Sequence, residues 1–135
     1  MRRINRIASI AAALALASPA MAVGFLNPVN MLSDGRSFEV VDRLGTDTAR
    51  IWCDAARAAT DMGAGATQRL YVSRPYGPSL TDPGVDGISF TLAPSAELKR
   101  TAESLTGART LSLRRLGNNM TVGQGNGYCV FEIDG

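Results

Sequence analysis

The side chains that could do chemistry in this chain are few, and most of them answer one another. Asp47, Asp54 and Asp61 fall on one face of a potential helix, and carboxylate pairs can serve glycoside hydrolysis. Each, however, has an arginine at helical spacing, Arg50 or Arg57, so the plain reading is a solvated, charge-paired face. Cys53 and Cys129 are the only cysteines. They lie too far apart in sequence for a Cys-x-x-Cys redox motif or a zinc knuckle. Asp82 and Asp86 sit in a glycine-containing loop, but a calcium ion wants six or more oxygens, and solvated turn residues are the default. Lys99 is the only lysine that a serine–lysine dyad could use, and it stands beside Arg100. Gly123-Gln124-Gly125-Asn126-Gly127 has the look of a phosphate loop. It lacks the following helix and βαβ frame that such a loop needs, and a hairpin loop is the ordinary alternative. There is no histidine at all, which removes the commonest general base and metal ligand and every histidine-activated nucleophile. No cofactor and no metal is indicated.

The best surface for binding is the stretch Arg74 to Ser79. It reads as an exposed turn, Pro75-Tyr76-Gly77-Pro78-Ser79, in which Tyr76 beside Arg74 offers an aromatic ring and a cation. Arg114 and Arg115 add positive charge nearby. The candidate binding residues are therefore Arg74, Tyr76, Ser79, Arg114 and Arg115, for an anionic or sugar ligand or a partner protein. A well-formed turn whose tyrosine packs locally is the bland alternative.

These residues must be positioned by a small domain. Residues 1–22 read as a secretory signal peptide. Arg2, Arg3 and Arg6 precede an apolar run from Ile7 to Ala17, and Ala20-Met21-Ala22 has the small-x-small form of a cleavage site. The run is shorter than the roughly 20 residues a membrane span needs. The leader holds three of the 14 basic residues and none of the 12 acidic ones, so the remaining chain is formally −1 rather than +2. That balance predicts neither a nucleic-acid partner nor general attraction to anionic membranes. An oxidising compartment and an even cysteine count favour a Cys53–Cys129 disulfide over two free thiols. Closing a loop that long contributes on the order of 4 kcal/mol as an upper guide.

Residues 23–35 read as a lead-in with possible disorder, and residues 36–135 as one α+β domain. The expected elements start with a strand over Ser37–Arg43. An amphipathic helix follows over Asp47–Gly63, with alanines and Trp52 on its dry face and Cys53 on its shoulder. Strands are expected over Gln68–Arg74 and Gly87–Leu92. Pro94–Leu105 has helical spacing at Leu98, Ala102 and Leu105 and a capping Ser95, but Thr101, Ser104 and Thr106 weaken a helix, so helix and loop both stay open there. A fourth strand over Thr110–Leu116 leads through the Gly117-Asn118-Asn119 hairpin signal into Met120-Thr121-Val122. Gly123–Gly127 is expected as a loop, and Tyr128–Ile133 as a last strand. The expected fold is an antiparallel sheet of four to five strands on one main helix.

Ile51-Trp52-Cys53-Asp54-Ala55-Ala56, followed by Leu70-Tyr71-Val72-Ser73-Arg74-Pro75-Tyr76-Gly77-Pro78-Ser79, resembles a group of small exported proteins of alphaproteobacteria. Phe90-Thr91-Leu92, Gly117-Asn118-Asn119-Met120 and Cys129 fit the same pattern. The resemblance implies a periplasmic or secreted location, supports the Cys53–Cys129 pair and carries over no catalytic residue. The expected function is a small non-enzymatic domain that binds an envelope protein or glycan. A carboxylate-based hydrolase and a thiol-redox protein are the alternatives.

Overall fold

A computed structural model describes residues 27–105 and 111–129. The leader, and the part of the expected last strand from residue 130 onward, lie outside them. Five strands form one antiparallel sheet: β1 (Val29–Met31), β2 (Ser37–Asp42), β3 (Arg69–Pro78), β4 (Asp86–Thr91) and β5 (Asn119–Thr121), in the spatial order β1-β2-β4-β3-β5. Among the described residues three helices accompany the sheet: α1 (Thr48–Asp61), α2 (Ala96–Ser104) and α3 (Val122–Gly127). The α+β class, the main helix and the disulfide Cys53–Cys129, with Cα atoms 5.1 Å apart, are those expected.

α1 forms where its alanines and caps dictate. The Asp47 side chain accepts from the Arg50 N–H at 2.9 Å, and Gly63, at φ +95°, takes the left-handed conformation that stops the helix. Trp52, Ala55, Ala56 and Ala59 turn onto one face of the sheet, where Phe38, Val40, Leu70, Val72, Ile88 and Phe90 wait. The Trp52 ring meets Phe90 edge-on at 5.2 Å, and Phe90 stacks on Phe38 at 5.9 Å. The Trp52 indole N–H donates to the Leu111 carbonyl at 3.0 Å, which keeps this fully buried ring satisfied.

One member of the expected wet face of α1 is not wet. Asp54 is buried. Asn27 donates to it at 2.9 Å, and Arg50 at 3.3 Å. Burial pushes its carboxyl pKa up, against the hydrogen bonds and the Arg50 charge, which pull it down. Asn27 also donates to the Thr46 hydroxyl and accepts from the Leu44 N–H. The lead-in, read as a segment with room for partial disorder, is therefore pinned from residue 27 and adds the edge strand β1.

Three further expectations are corrected. The Pro75–Ser79 turn is, up to Pro78, the second half of β3, with register irregularities between Val72 and Arg74 and between Arg74 and Gly77. These irregularities absorb the proline, which a regular ladder would not accept. Of the strand expected over Thr110–Leu116, residues 111–116 are irregular, and residue 110 lies outside the described residues. Asn118 donates to the Ser112 carbonyl at 2.8 Å and the Arg114 N–H to the Ser112 hydroxyl at 3.3 Å, so local bonds replace a ladder. Finally, Gly123–Gly127 is not a loop but most of α3. Thr121 and Gln124 make a reciprocal capping box, and the helix ends in a short turn that carries Tyr128 and Cys129. Cys129 therefore does not sit on a strand. A Cβ on Gly125 would come within 2.7 Å of the Ala56 Cβ and 3.2 Å of the Trp52 carbonyl. Glycine at that position lets α3 lie close on α1 and delivers Cys129 to Cys53.

The opposite face of the sheet is polar yet largely buried. Glu39 is fully buried there, opposite Ser89 on β4. The loop after β3 folds over it. Glu39 accepts from the Ser79 hydroxyl at 2.6 Å, the Leu80 N–H at 2.7 Å, and the Thr81 hydroxyl and N–H at 2.7 and 3.2 Å. Burial alone would push the Glu39 pKa up, but these hydrogen bonds outweigh it and hold the group below its ordinary value. Arg43, ion-paired with Asp82, and Asn30, donating to Thr81 at 2.9 Å, tie down the same loop.

Candidate functional site

The five candidate binding residues separate into two groups. Arg74 pairs across β4 with Ser89, which belongs to the polar face, and its guanidinium donates to the Pro78 carbonyl at 2.7 Å. Ser79 is spent on Glu39. Tyr76, within the second register irregularity, packs instead against the helix-side core, and its N–H donates to the Leu113 carbonyl at 2.8 Å. Residues two apart on a regular strand share a face. The irregularity at Arg74–Gly77 is what parts Arg74 from Tyr76, a separation the sequence pattern does not announce.

The cation beside Tyr76 is Arg114. Its guanidinium carbon lies 5.3 Å from the centre of the Tyr76 ring, within cation–π range. Arg115 is exposed and does not line the same cleft. The cleft is about 320 Å3 in volume and is bounded by Asp42 at the end of β2, Thr46, Thr48 and Ile51 around the start of α1, Tyr76 on β3, and Ser112 to Arg114. Its size is at the lower end for small-molecule sites.

Sequence reasoning passed over Asp42 and the Gly45–Thr48 bend. The Tyr76 hydroxyl donates to one Asp42 oxygen at 3.0 Å, and the Thr46 N–H donates to the other at 3.1 Å. Burial pushes the Tyr76 pKa up to about 12, helped by that hydrogen bond and by the negative charge of Asp42 and Asp86. Tyr76 is therefore a neutral hydrogen-bond donor at physiological pH and is no base or nucleophile. Asp42 and Asp86 stand directly opposite each other on β2 and β4, and among the described residues neither forms an ion pair with an arginine. Their alignment at Tyr76 was visible in the sequence only as two aspartates bounding separate strands.

Arg114 differs from the other polar groups of the cleft. Both oxygens of Asp42 are engaged, and the Thr46 hydroxyl accepts from Asn27. Among the described residues, no carboxylate or carbonyl accepts from the Arg114 guanidinium. The ring beneath holds that group in place without consuming its donors, all of which lie in the guanidinium plane.

Two other hollows are less well equipped. The larger, about 620 Å3, lies between α2 and the end of the sheet. Its polar groups mostly serve the fold: Asp34 accepts from the Arg36 and Ser37 N–H groups and the Ser37 hydroxyl, Thr91 donates to the Arg36 carbonyl, and Ser95 caps α2. The other, about 500 Å3, lies beside exposed Met31 and Leu80 at the edge strand. Asp82, one of the two loop aspartates, is held by Arg43, and among the described residues no group of three or more Cys, Asp or Glu side chains gathers as a metal site would require. Both cysteines are in the disulfide. Among the described residues no helix is long and apolar enough to cross a membrane. No family model, curated protein or solved structure matches the chain.

Proposed function

We propose that this protein is an exported, non-enzymatic binding domain of the periplasm or the medium, and that the Tyr76–Arg114 cleft is where it takes an envelope protein or glycan. The observation that carries this reading is the Arg114 guanidinium, seated on the Tyr76 ring at 5.3 Å at the mouth of a cleft, with no carboxylate or carbonyl accepting from it among the described residues. A disulfide clamping α1 to the end of α3 supports an oxidising destination. So do the leader-like start of the chain and the resemblance to small exported proteins.

One observation favours a second reading. The strand register sets Asp42 and Asp86 opposite each other, which brings together the residue types that a carboxylate hydrolase would need. Against it, Asp42 is engaged on both oxygens, by Tyr76 and by Thr46, which is the arrangement of a structural acceptor.

The test is photocrosslinking in cells that make the full chain. A photoreactive residue replaces Thr48, exposed at the cleft rim, or Glu97, exposed on α2 away from it. A discrete adduct to an envelope component from position 48, absent from position 97 and lost on adding Arg114→Gln, supports the reading. Adducts of equal yield from both positions, or none from position 48, contradict it.

A further inference from the structure

The cleft says more about its occupant than that it is an envelope component. This step rests on the binding reading above and narrows it. We infer that the cleft selects a carboxylated saccharide, a pyranose bearing one carboxylate, with Arg114 gripping the carboxylate.

The charge comes first. Among the described residues Arg114 is the one cation lining the cleft, and it presents a planar fork of donors that matches a carboxylate or a phosphate. The cation–π contact at 5.3 Å restrains the guanidinium before anything binds, so less side-chain entropy is lost on binding. Asp42 also lines the cleft, and Asp86 stands opposite it. One fixed positive charge beside fixed negative charge suits a monoanion. A phosphate dianion brings a second charge and a further oxygen, for which the described lining supplies no second cation, while Asp42 lies in the same wall. A carboxylate is therefore the better match.

The body of the ligand follows from the remaining walls. Thr48, at the start of α1, presents a hydroxyl at the rim. Ile51 and Leu113, both buried, form an apolar floor. An apolar floor with a hydroxyl at its rim suits the C–H face and hydroxyl edge of a sugar ring. A long acyl chain or a peptide helix would need a larger apolar trough than about 320 Å3 provides.

The experiment is a titration of the isotope-labelled, disulfide-intact protein with galacturonic acid, methyl galactoside and inorganic phosphate, read by amide chemical shifts. The reading expects galacturonic acid to shift the amides of Thr48, Tyr76, Leu113 and Arg114. Methyl galactoside should bind at least about tenfold more weakly, because a charge-assisted pair is worth about 1.5–3 kcal/mol. Arg114→Gln should weaken galacturonic acid by a similar factor, while Arg115→Gln leaves it within about twofold. Equal binding of the charged and neutral sugars, or equal losses from the two arginine variants, overturns carboxylate recognition and leaves the cleft a binding site. Phosphate binding as tightly as galacturonic acid overturns the choice of a carboxylated ligand. Failure of all three probes, with position-48 adducts still forming in cells, overturns the saccharide inference alone. Failure of both experiments removes the binding reading as well.

Discussion

Glu39→Gln isolates the latch that holds the polar face of the sheet. The wild-type carboxylate offers two oxygens to four donors: one receives the Leu80 N–H, and the other the Ser79 hydroxyl and both Thr81 donors. Glutamine has nearly the same shape but only one acceptor oxygen. Its better orientation keeps the three donors and turns the amide nitrogen toward the Leu80 N–H, donor against donor. One charge-assisted bond is lost, worth about 1.5–3 kcal/mol, and a poorly hydrated donor adds part of its own desolvation cost, so the expected destabilisation is about 2–4 kcal/mol. Urea unfolding with the disulfide intact measures it at pH 7. The pH dependence has a definite sign. Glu39 is held below its ordinary pKa, so its stabilisation is present above the ordinary glutamate value and is lost as pH falls through the lowered one. The gap between wild type and variant should therefore narrow in acid. Hydrogen exchange should show the Leu80 and Thr81 amides losing protection first. A loss under about 0.5 kcal/mol, or a gap that widens in acid, would refute the account of Glu39 as the anchor of this loop.

Three other outcomes are expected. Gly125→Ala should destabilise by about 1–3 kcal/mol despite alanine's better helix propensity, because its Cβ would meet Ala56 at 2.7 Å; denaturant melts check it, and Ala56→Gly should recover part of the loss. Replacing both cysteines by serine should cost about 4.5 kcal/mol by loop closure over the 76-residue separation, measured as the difference in urea unfolding free energy. Asp54→Asn should gain stability relative to wild type as pH rises. The folded pKa of Asp54 is raised by burial, so its favourable contribution is present below the ordinary aspartate value and is lost as pH climbs through the raised one, which parallel melts from pH 3 to pH 8 will show.

The helix α1, the strands β2 and β4 and the disulfide were legible because each rests on local pattern: a 3.6-residue apolar stripe, period-two alternation, and two cysteines in an export context. α2 was only half legible: the Ser95 cap and the spacing of Leu98 and Ala102 pointed to a helix, while Thr101 and Ser104 left a loop open, and the structure decides for the helix. α3 was hidden because three glycines in five residues argue against a helix, and its reason to form is tertiary: only glycine allows the approach to α1. The fate of Asp54 was hidden for a related cause. Its partner Asn27 lies 27 residues away, in a segment whose composition says only loop. Tyr76 and Arg114 were singled out by type, in one loose group with Arg74, Ser79 and Arg115. What seats Arg114 on Tyr76 and gives Arg74 and Ser79 other partners is the irregular register of β3 and the demand of buried Glu39 for donors. Neither leaves a trace in residue spacing.

The central claim is that binding occurs at Tyr76 and Arg114 rather than at the hollow beside α2 or the one at the edge strand. Mapping amide shifts of the labelled protein against a soluble envelope fraction tests it most directly. The account predicts changes grouped at Thr46, Thr48, Tyr76 and Leu113–Arg114, and their loss in Arg114→Gln. Changes grouped instead at Arg36, Ser95 and Thr101 beside α2, or at Met31 and Leu80 by the edge strand, would contradict it.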